Sequence, residues 1–380
     1  MTIKGSREIF VITGESSGDQ HAAKYVREHL LLNKKIYFSG IGQECMKNEG
    51  ISLIYNSEDI SVVGLTEVIF KYKKIKSVLD LAKKYLKENK PALVVLVDYV
   101  EFNLKIASYA KSLGIPILFY IAPQVWAWRE NRINNIIKVV DHLAVVFPFE
   151  YDIFSKFSKN VTYVGHPLAD DNELNFDNTN YHDKKYDLGV FPGSRESEIK
   201  NNIYTMLDCI KPSKGKHPDY SNIKIFYSND KTKKLLEKML PVSLHASLKS
   251  GKDREEIKQC KKAITASGTI TLELALLGIP MVIVYRLSSI TYFMMKRLVK
   301  LKYIGLVNLI LGENLGDEMI VKEYVQPKYH DQVEIMAELD KIDNDSTYRD
   351  KIKIKYLEIR NKLRPGAAKN LAQIANKLIF

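Results

Sequence analysis

The chain has 380 residues, 46% of them hydrophobic and 27% charged, a composition that excludes a disordered or fibrous protein and a length that points to two domains or one large α/β unit. Lys and Arg outnumber Asp and Glu by 57 to 45, a formal net charge of +12 that favours anionic partners without choosing among nucleic acid, anionic lipid and phosphorylated substrates. Three widely spaced cysteines, Cys45, Cys209 and Cys260, exclude a disulfide framework and a zinc pair and fit a reducing cytoplasm.

Glu8, Glu15 and Asp19 fall inside and after the first short apolar run, which is wrong for a signal peptide, and no later stretch approaches eighteen unbroken apolar residues. The expected location is cytoplasmic, with any membrane contact peripheral.

Glu8–Thr13, Ile36–Ser39, Leu93–Val97, Ile117–Tyr120, Leu143–Val146 and Val161–Val164 read as strands separated by amphipathic helical stretches. That alternation predicts a parallel sheet wrapped by helices. From Asp170 to Lys185 the sequence turns polar, through Asn172, Asn175, Asn178 and Asn180, as an interdomain linker would. Strands resume at Asp187–Phe191, Ile223–Tyr227, Ala263–Ala266 and Met281–Tyr285, and Tyr348–Leu378 reads as closing helices. The expected layout is a first α/β domain at residues 1–169, a linker at 170–185, a second α/β domain at 186–345 and closing helices at 346–380, the two domains facing each other across a cleft.

After the first strand, Gly14-Glu-Ser-Ser-Gly-Asp19 opens a helix where a dinucleotide fold would carry its glycine fingerprint. The third glycine is missing, and Glu15 and Asp19 would repel a pyrophosphate, so a nicotinamide dehydrogenase is disfavoured. A tight turn with Asp19 near the helix N-terminus and an acceptor-binding loop using Glu15 and Ser17 both remain open. The apolar strand Leu93–Val97 ends in Asp98, at the strand end where open α/β sheets hold ligands, so this carboxylate is a candidate general base. Glu101 competes for that role, and either residue is equally suited to capping the next helix.

Ile121-Ala-Pro-Gln-Val-Trp-Ala-Trp-Arg-Glu-Asn-Arg-Ile133 holds the only two tryptophans, Trp126 and Trp128, beside Arg129 and Arg132. Pro123 and the polar neighbours exclude a regular central strand and favour a binding loop.

In the second half, Asp187-Leu-Gly-Val-Phe-Pro-Gly-Ser-Arg-Glu-Ser-Glu198 reads as strand, turn and helix start. Gly193 lets the backbone approach a ligand, Ser194 and the helix-start amides donate, and Arg195 adds a cationic fork suited to phosphate. Ser194 as a plain N-cap is the alternative. A second such element, Ala266-Ser-Gly-Thr-Ile-Thr-Leu-Glu273, repeats the pattern with Ser267, Gly268 and Thr269, and Glu273 shares a helix face with Thr269, suited to a ribose or to the helix start. Two helix N-termini from one sheet suit a diphosphate. His166, in Val164-Gly-His-Pro167, reads first as a structural histidine.

Leu65, Val68, Ile69, Tyr72, Ile75 and Leu79 recur at helical spacing among Lys71, Lys73, Lys74 and Lys76, and Tyr292–Lys302 is similarly basic and apolar. Taken alone, such helices read as core-facing with solvated lysines. They also suit an anionic bilayer surface.

Together these residues resemble the lipid-A-disaccharide synthases, bacterial glycosyltransferases of the lipopolysaccharide pathway. The motifs that carry the resemblance are Gly14–Asp19, Asp98 with Phe102-Asn103, Tyr120–Arg132, Phe147-Pro-Phe-Glu150, Val164–Pro167, Pro192-Gly-Ser-Arg195 with Glu198, Ser267–Thr269 with Leu272-Glu273, Pro280-Met-Val282, Tyr285-Arg286, Asn308, and Glu323 with Gln326.

The resemblance implies a GT-B architecture of two Rossmann-like domains with neither cofactor nor catalytic metal. It implies inverting transfer of 2,3-diacylglucosamine from UDP-2,3-diacylglucosamine to the 6-hydroxyl of 2,3-diacylglucosamine 1-phosphate, giving a β-1,6-linked disaccharide and UDP. On this basis Asp98 is the base. Gly193, Ser194, Arg195, Ser267, Gly268 and Thr269 form the diphosphate clamp, Glu273 takes the ribose, and Asn308, Glu323 and Gln326 are donor-side contacts. Glu15, Ser17, Trp126, Trp128, Arg129 and Arg132 serve the acceptor, and Leu65, Val68, Ile69 and Tyr72 meet acyl chains at the cytoplasmic face of the inner membrane, on anionic lipid. No nucleic-acid partner is implied, and monomer and homodimer are both left open.

The sequence departs from the family where Tyr99-Val100 follows Asp98, a place usually held by a small residue and proline, and residues 204–252 match poorly, so no uracil contact is assigned. The rival readings are another UDP-N-acetylglucosamine user on the same fold, either a lipid-linked cell-wall transferase or a 2-epimerase, and a non-catalytic membrane-surface binding protein. The tryptophan motif and the Gly14–Asp19 loop oppose the first, and two phosphate cradles beside a strand-end carboxylate oppose the second.

Overall fold

Continuous apolar runs such as Leu93–Val97, every residue of which is fully buried, require a sheet covered on both faces, which in practice means parallel strands joined by helices. A computed structural model of the chain describes residues 7–60, 65–122, 131–177, 179–210, 222–287, 303–312 and 319–380, with residues 65–71, 131–132 and 329 described by backbone alone. The chain divides into two units, Met1–Asp170 with Leu363–Phe380, and Asp171–Lys362.

The first unit is built on a seven-stranded sheet of β1 (Arg7–Thr13), β2 (Ile36–Gly42), β3 (Ser52–Asn56), β4 (Leu93–Val97), β5 (Ile117–Tyr120), β6 (His142–Val145) and β7 (Val161–Tyr163). Its spatial order is β3-β2-β1-β4-β5-β6-β7, with every pairing parallel. The order reverses between β1 and β4, so the loops leaving these two strands flank the crevice where doubly wound sheets bind ligands. On β1, Glu8 is buried, and its carboxylate accepts from the hydroxyls of Ser39, Tyr85 (2.6 Å) and Tyr37 (3.4 Å), which compensates the charge inside the sheet layer.

The second unit carries a six-stranded parallel sheet of β8 (Leu188–Phe191), β9 (Ile223–Tyr227), β10 (Leu248–Ser250), β11 (Ala263–Thr265), β12 (Met281–Tyr285) and β13 (Glu323–Val325), in the order β10-β9-β8-β11-β12-β13. Here the switch lies between β8 and β11. The polar stretch after Asp170 packs on this unit, with Leu174 buried, the Phe176 ring against Gly278 and the Tyr181 hydroxyl donating to Asp343 at 2.6 Å.

The last helix, Ala367–Ile379, returns to the first unit. His166 N donates to Leu363 O (2.8 Å), Asn370 Nδ2 to Val164 O (2.9 Å), and the Arg7 guanidinium to Ile379 O while lying 4.4 Å from the Phe380 ring centroid. Gly165 has φ +98, and a Cβ there would fall 2.6 Å from the Arg364 carbonyl oxygen, so the close approach of the returning chain requires glycine.

The helix Leu65–Asn89 buries Val78, Ala82 and Leu86 against this sheet. Ile75 and Leu79 also pack on the core, which corrects the expectation that the whole Leu65–Leu79 face is open to a bilayer. Their spacing is that of the sheet-facing stripe, which the sequence cannot distinguish from a lipid-facing one. Tyr72 is exposed, 58% of it open to solvent, among exposed Lys73, Lys74 and Lys76. The side chains of Leu65, Val68 and Ile69 and the stretch 292–302 lie outside the described residues.

Candidate active site

In the first unit the candidate residues gather where β1 and β4 end. Asp98 follows β4 with φ +49, and Tyr99 follows it with φ +46, two successive residues in the left-handed region that L side chains disfavour. Each costs on the order of 1–3 kcal/mol. The strand-end turn is held by Asn103, wholly buried on the next helix, Val100–Ser112, whose Nδ2 donates to Asp98 O (2.6 Å) and Val97 O (3.3 Å). Asp98 N in turn donates to Tyr120 O at 3.1 Å. The helix N-cap is Tyr99 and not Asp98, while Glu101 lies exposed in the first turn.

The loop from β1 meets this turn. The Tyr99 ring covers Gly14, its hydroxyl donates to Ile60 O (2.9 Å), and burial, with a smaller contribution from the Glu15 carboxylate, pushes its phenol up to about 12. Glu15 is half-buried and Ser17 exposed at the start of the helix Ser16–Leu32. Asp19 is buried and accepts from Gln43 N (2.6 Å) and Cys45 N (2.9 Å), so it ties this helix to the loop after β2. His166 is buried too. Its Nδ1 accepts from Leu168 N (3.2 Å), and burial with the neighbouring His21 lowers it to about 3, which makes it a neutral structural imidazole. Trp126, Trp128 and Arg129 lie outside the described residues, as does the side chain of Arg132, whose backbone belongs to the helix Asn131–Val139.

In the second unit Gly193 has φ +123, and a Cβ there would fall 2.6 Å from Glu198 Cβ, so the turn after β8 needs glycine on both counts. The helix Glu196–Asp208 takes Arg195 as its N-cap, which corrects the alternative that Ser194 is the cap. Ser194 N (3.0 Å) and Arg195 N (3.2 Å) both donate to Glu198 Oε2, and the Arg195 guanidinium, 55% exposed, lies 3.4 Å from Glu198 Oε1. A carboxylate of the protein itself therefore sits on the amides of this turn. Behind it, buried Asn202 donates to Pro192 O (3.3 Å), as Asn103 donates to the strand-end carbonyls of the first unit, and accepts from Arg286 N (2.6 Å).

The second cradle, after β11, begins with Ser267, whose hydroxyl donates to Ile304 O (3.0 Å). Gly268, φ +153, is the N-cap of the helix Thr269–Leu276, and a Cβ there would meet nothing within 4 Å among the described residues. Thr269 is exposed beside it. Glu273, one turn further on, is mostly covered and meets the Arg254 guanidinium, Nη2 standing 2.6 Å from Oε2. That oxygen has no aligned hydrogen bond among the described residues, so the contact is an ion pair. Burial raises the Glu273 carboxyl, with Arg254 opposing it.

Asn308 and Glu323 turn to each other. Glu323 accepts from Ile304 N (2.7 Å), Gly305 N (3.0 Å) and Asn308 Nδ2 (2.6 Å), and Asn308 also donates to Val321 O (2.7 Å). Burial pushes the Glu323 carboxyl up, against these donors. With Ser267 on Ile304 O, the pair fixes the 303–305 segment against the second cradle. Gln326, φ +53, donates through Nε2 to Leu287 O (2.8 Å). Arg254 and Asn202 were not singled out by the sequence. Neither belongs to a local pattern, since each acts on a chain segment at least nineteen residues away or across the sheet end.

Solved structures with this architecture include Methanocaldococcus jannaschii UDP-GlcNAc 2-epimerase in complex with UDP-GlcNAc and UDP (TM-score 0.59, 14% identity, 98% of this chain and 99% of that one). They also include the kitacinnamycin glycotransferase (TM-score 0.59, 10% identity, 98% and 99%). The fold is that of the GT-B glycosyltransferases and the UDP-GlcNAc 2-epimerases, two parallel-sheet α/β domains.

The family model described as lipid-A-disaccharide synthetase matches residues 9–378. Lipid-A-disaccharide synthases of Syntrophotalea carbinolica (33% identity, 99% of this chain and 96% of that one) and Nitrosococcus oceani (33%, 96% and 95%) are similar along their whole length. The chain belongs to the lipid-A-disaccharide synthetase family, GT-B glycosyltransferases.

Proposed function

We propose that the protein transfers 2,3-diacylglucosamine from UDP-2,3-diacylglucosamine to the 6-hydroxyl of 2,3-diacylglucosamine 1-phosphate, with inversion. The observation that carries this reading is the placement of Asp98 at one topological switch and of the Arg195 and Gly268 helix starts at the other. Relatives named lipid-A-disaccharide synthase, and a structural neighbour in complex with UDP-GlcNAc and UDP, support the substrate class.

In the reaction the Asp98 carboxylate takes the proton of the 6-hydroxyl as its oxygen bonds to the donor's anomeric carbon. The bond from that carbon to the diphosphate oxygen breaks on the opposite side, and UDP leaves with the electron pair, so the α-linked donor yields a β-linkage. Arg195 and the first-turn amides after Gly193 and Gly268 meet the charge on the departing diphosphate, with no metal assigned a role. For the phosphate to use the amides of Ser194 and Arg195, the Glu198 carboxylate must turn aside. Glu273 takes the ribose hydroxyls, while Asn308 and Glu323 serve the donor by fixing residues 303–305.

Glu15 and Ser17, with Trp126, Trp128, Arg129 and Arg132, serve the acceptor, Arg129 and Arg132 meeting its 1-phosphate. Exposed Tyr72 among Lys73, Lys74 and Lys76 supports peripheral contact with anionic lipid at the cytoplasmic face of the inner membrane, with Leu65, Val68 and Ile69 on the same helix. Among the described residues, no helix is long and apolar enough to cross a membrane.

The test is incubation of the full chain with both lipids in detergent micelles, with and without chelator, measuring disaccharide and UDP beside Asp98→Asn. Disaccharide from the wild type, and a folded Asp98→Asn that binds UDP but turns over about 10²–10⁴-fold more slowly, is the expected result. UDP-GlcNAc epimerisation without disaccharide would replace this reading with the 2-epimerase one.

A further inference from the structure

Arg254 lies outside every motif that carries the family resemblance, yet it touches the carboxylate read as the ribose contact. It opens the short helix Arg254–Lys258, capped by Asp253, whose Oδ1 accepts from Glu256 N at 3.1 Å. One arm of its guanidinium is anchored, Nη1 donating to Gly251 O at 2.8 Å, and the other reaches Glu273 Oε2 at 2.6 Å. Both side chains are more than four-fifths covered.

We infer that Arg254 is a positioning residue that holds the Glu273 carboxylate as a fixed acceptor for the donor's ribose hydroxyls. The inference rests on the reading of Glu273 as the ribose contact. The physical argument starts from geometry. A carboxylate on a helix surface has rotamer freedom, and an ion pair to a guanidinium that is itself tied to a backbone carbonyl removes it. Because the Arg254 arm is off the hydrogen-bond line, Glu273 Oε2 makes no hydrogen bond among the described residues and keeps its acceptor capacity.

The charge state points the same way. Burial raises the Glu273 carboxyl, Arg254 lowers it, and Asp171 raises it. A protonated Glu273 would offer one donor and lose the ability to accept from two hydroxyls at once. Without Arg254, burial and Asp171 both act to raise the carboxyl and no basic neighbour among the described residues opposes them, so it takes up its proton at higher pH. An exposed pair would matter little, but removing one partner of a covered pair leaves the other charge uncompensated.

The test measures calorimetric affinity of the full-length protein for UDP and for 2′,3′-dideoxy-UDP across pH 5 to 8, in wild type, Arg254→Met, Arg254→Lys, Glu273→Gln and the Arg254→Met/Glu273→Gln double variant. The ratio of the two affinities isolates the ribose and cancels the titration of the phosphate. We expect Arg254→Met to lower the ratio about tenfold, the size of one hydrogen bond to a charged group. We also expect the ratio to fall at higher pH than in the wild type, to recover in part in Arg254→Lys, and to show no further loss in the double variant.

Equal loss for both nucleotides, or losses that add in the double variant, would overturn the positioning role, as would an unchanged ratio in Arg254→Met. Glu273→Gln keeping the wild-type ratio would instead overturn the ribose reading on which the inference stands. A melting curve for each variant separates these outcomes from misfolding, and Arg254→Lys keeps the charge should Arg254→Met fail to fold.

Discussion

The Tyr99 ring lies over the α-carbon of Gly14, so that any side-chain carbon at position 14 would fall inside the ring's van der Waals envelope. This contact locks the loop leaving β1 onto the left-handed turn that carries Asp98. The aromatic ring joins the two loops, with its hydroxyl fixed on Ile60 O at 2.9 Å.

Gly14→Ala is therefore expected to displace the Tyr99 ring and, with it, the backbone of Asp98. Overpacking of this kind costs about 1–3 kcal/mol. Disaccharide turnover should fall by more than the melting temperature alone explains, while UDP affinity, assigned to the second unit in the proposed reading, stays at the wild-type value. Equal turnover in Gly14→Ala and wild type would show that the ring contact does not set the position of Asp98.

Asn103→Ala removes the donor to Asp98 O and Val97 O and leaves two strand-end carbonyls short of a partner, at about 1–3 kcal/mol of stability. Because the strained turn at Asp98 and Tyr99 is held from this side, we expect kcat to fall while the acceptor KM stays within about twofold, since misplacing the proposed base harms the step and not the binding. Steady-state kinetics with both lipids reads this split directly, and a loss confined to KM would contradict it.

How far the sequence foretells this arrangement depends on burial. The central strands, such as Leu93–Val97 and Met281–Tyr285, are legible because strands covered on both faces must be apolar throughout. The strands that the sequence does not reveal are β3, β10 and β13, all short, at sheet edges and none fully covered, so they lack the long continuous apolar run of a central strand. The loops after β1, β8 and β11 are legible because glycine and hydroxyl residues at the start of a helix have a local reason to be there, and the turn after β4 because a carboxylate, Asp98, ends an apolar strand.

Side-chain partnerships across the site are not legible. Nothing local pairs Arg254 with Glu273 or turns Glu323 inward to the Ile304 and Gly305 amides, because these depend on how separate loops meet.

That inward turn gives a sharper prediction for Glu323. It satisfies Ile304 N, Gly305 N and Asn308 Nδ2 together, so Glu323→Ala leaves buried donors unpaired and should lower stability by about 1–3 kcal/mol. Asn308→Ala should cost a similar amount, and the double variant no more than the larger single loss, because the two residues act as one unit. Thermal melts of the three variants decide this, and strictly additive losses would mean that the residues act separately.

The buried histidines make stability fall on the acid side. Burial, with the neighbouring His21, lowers His166 to about 3, and burial lowers His29 to about 4, against an ordinary 6.5. Below pH 6.5 the unfolded chain therefore binds protons that the folded chain refuses, and the stability these residues contribute at neutral pH is lost as the pH falls towards their folded values. Between pH 6.5 and 4.5 each should account for a loss on the order of 2 kcal/mol.

Glu273 and Glu323, raised by burial, act with the opposite sign, so the slope of the wild type is a sum and a single-site comparison is needed. His166→Gln keeps a polar side chain beside Leu168 N and cannot titrate, so its melting temperature should fall less steeply over that range than the wild type's. Parallel slopes would show that His166 takes up its proton as readily in the folded protein as in the unfolded chain, and so would remove the argument for an imidazole held neutral by burial.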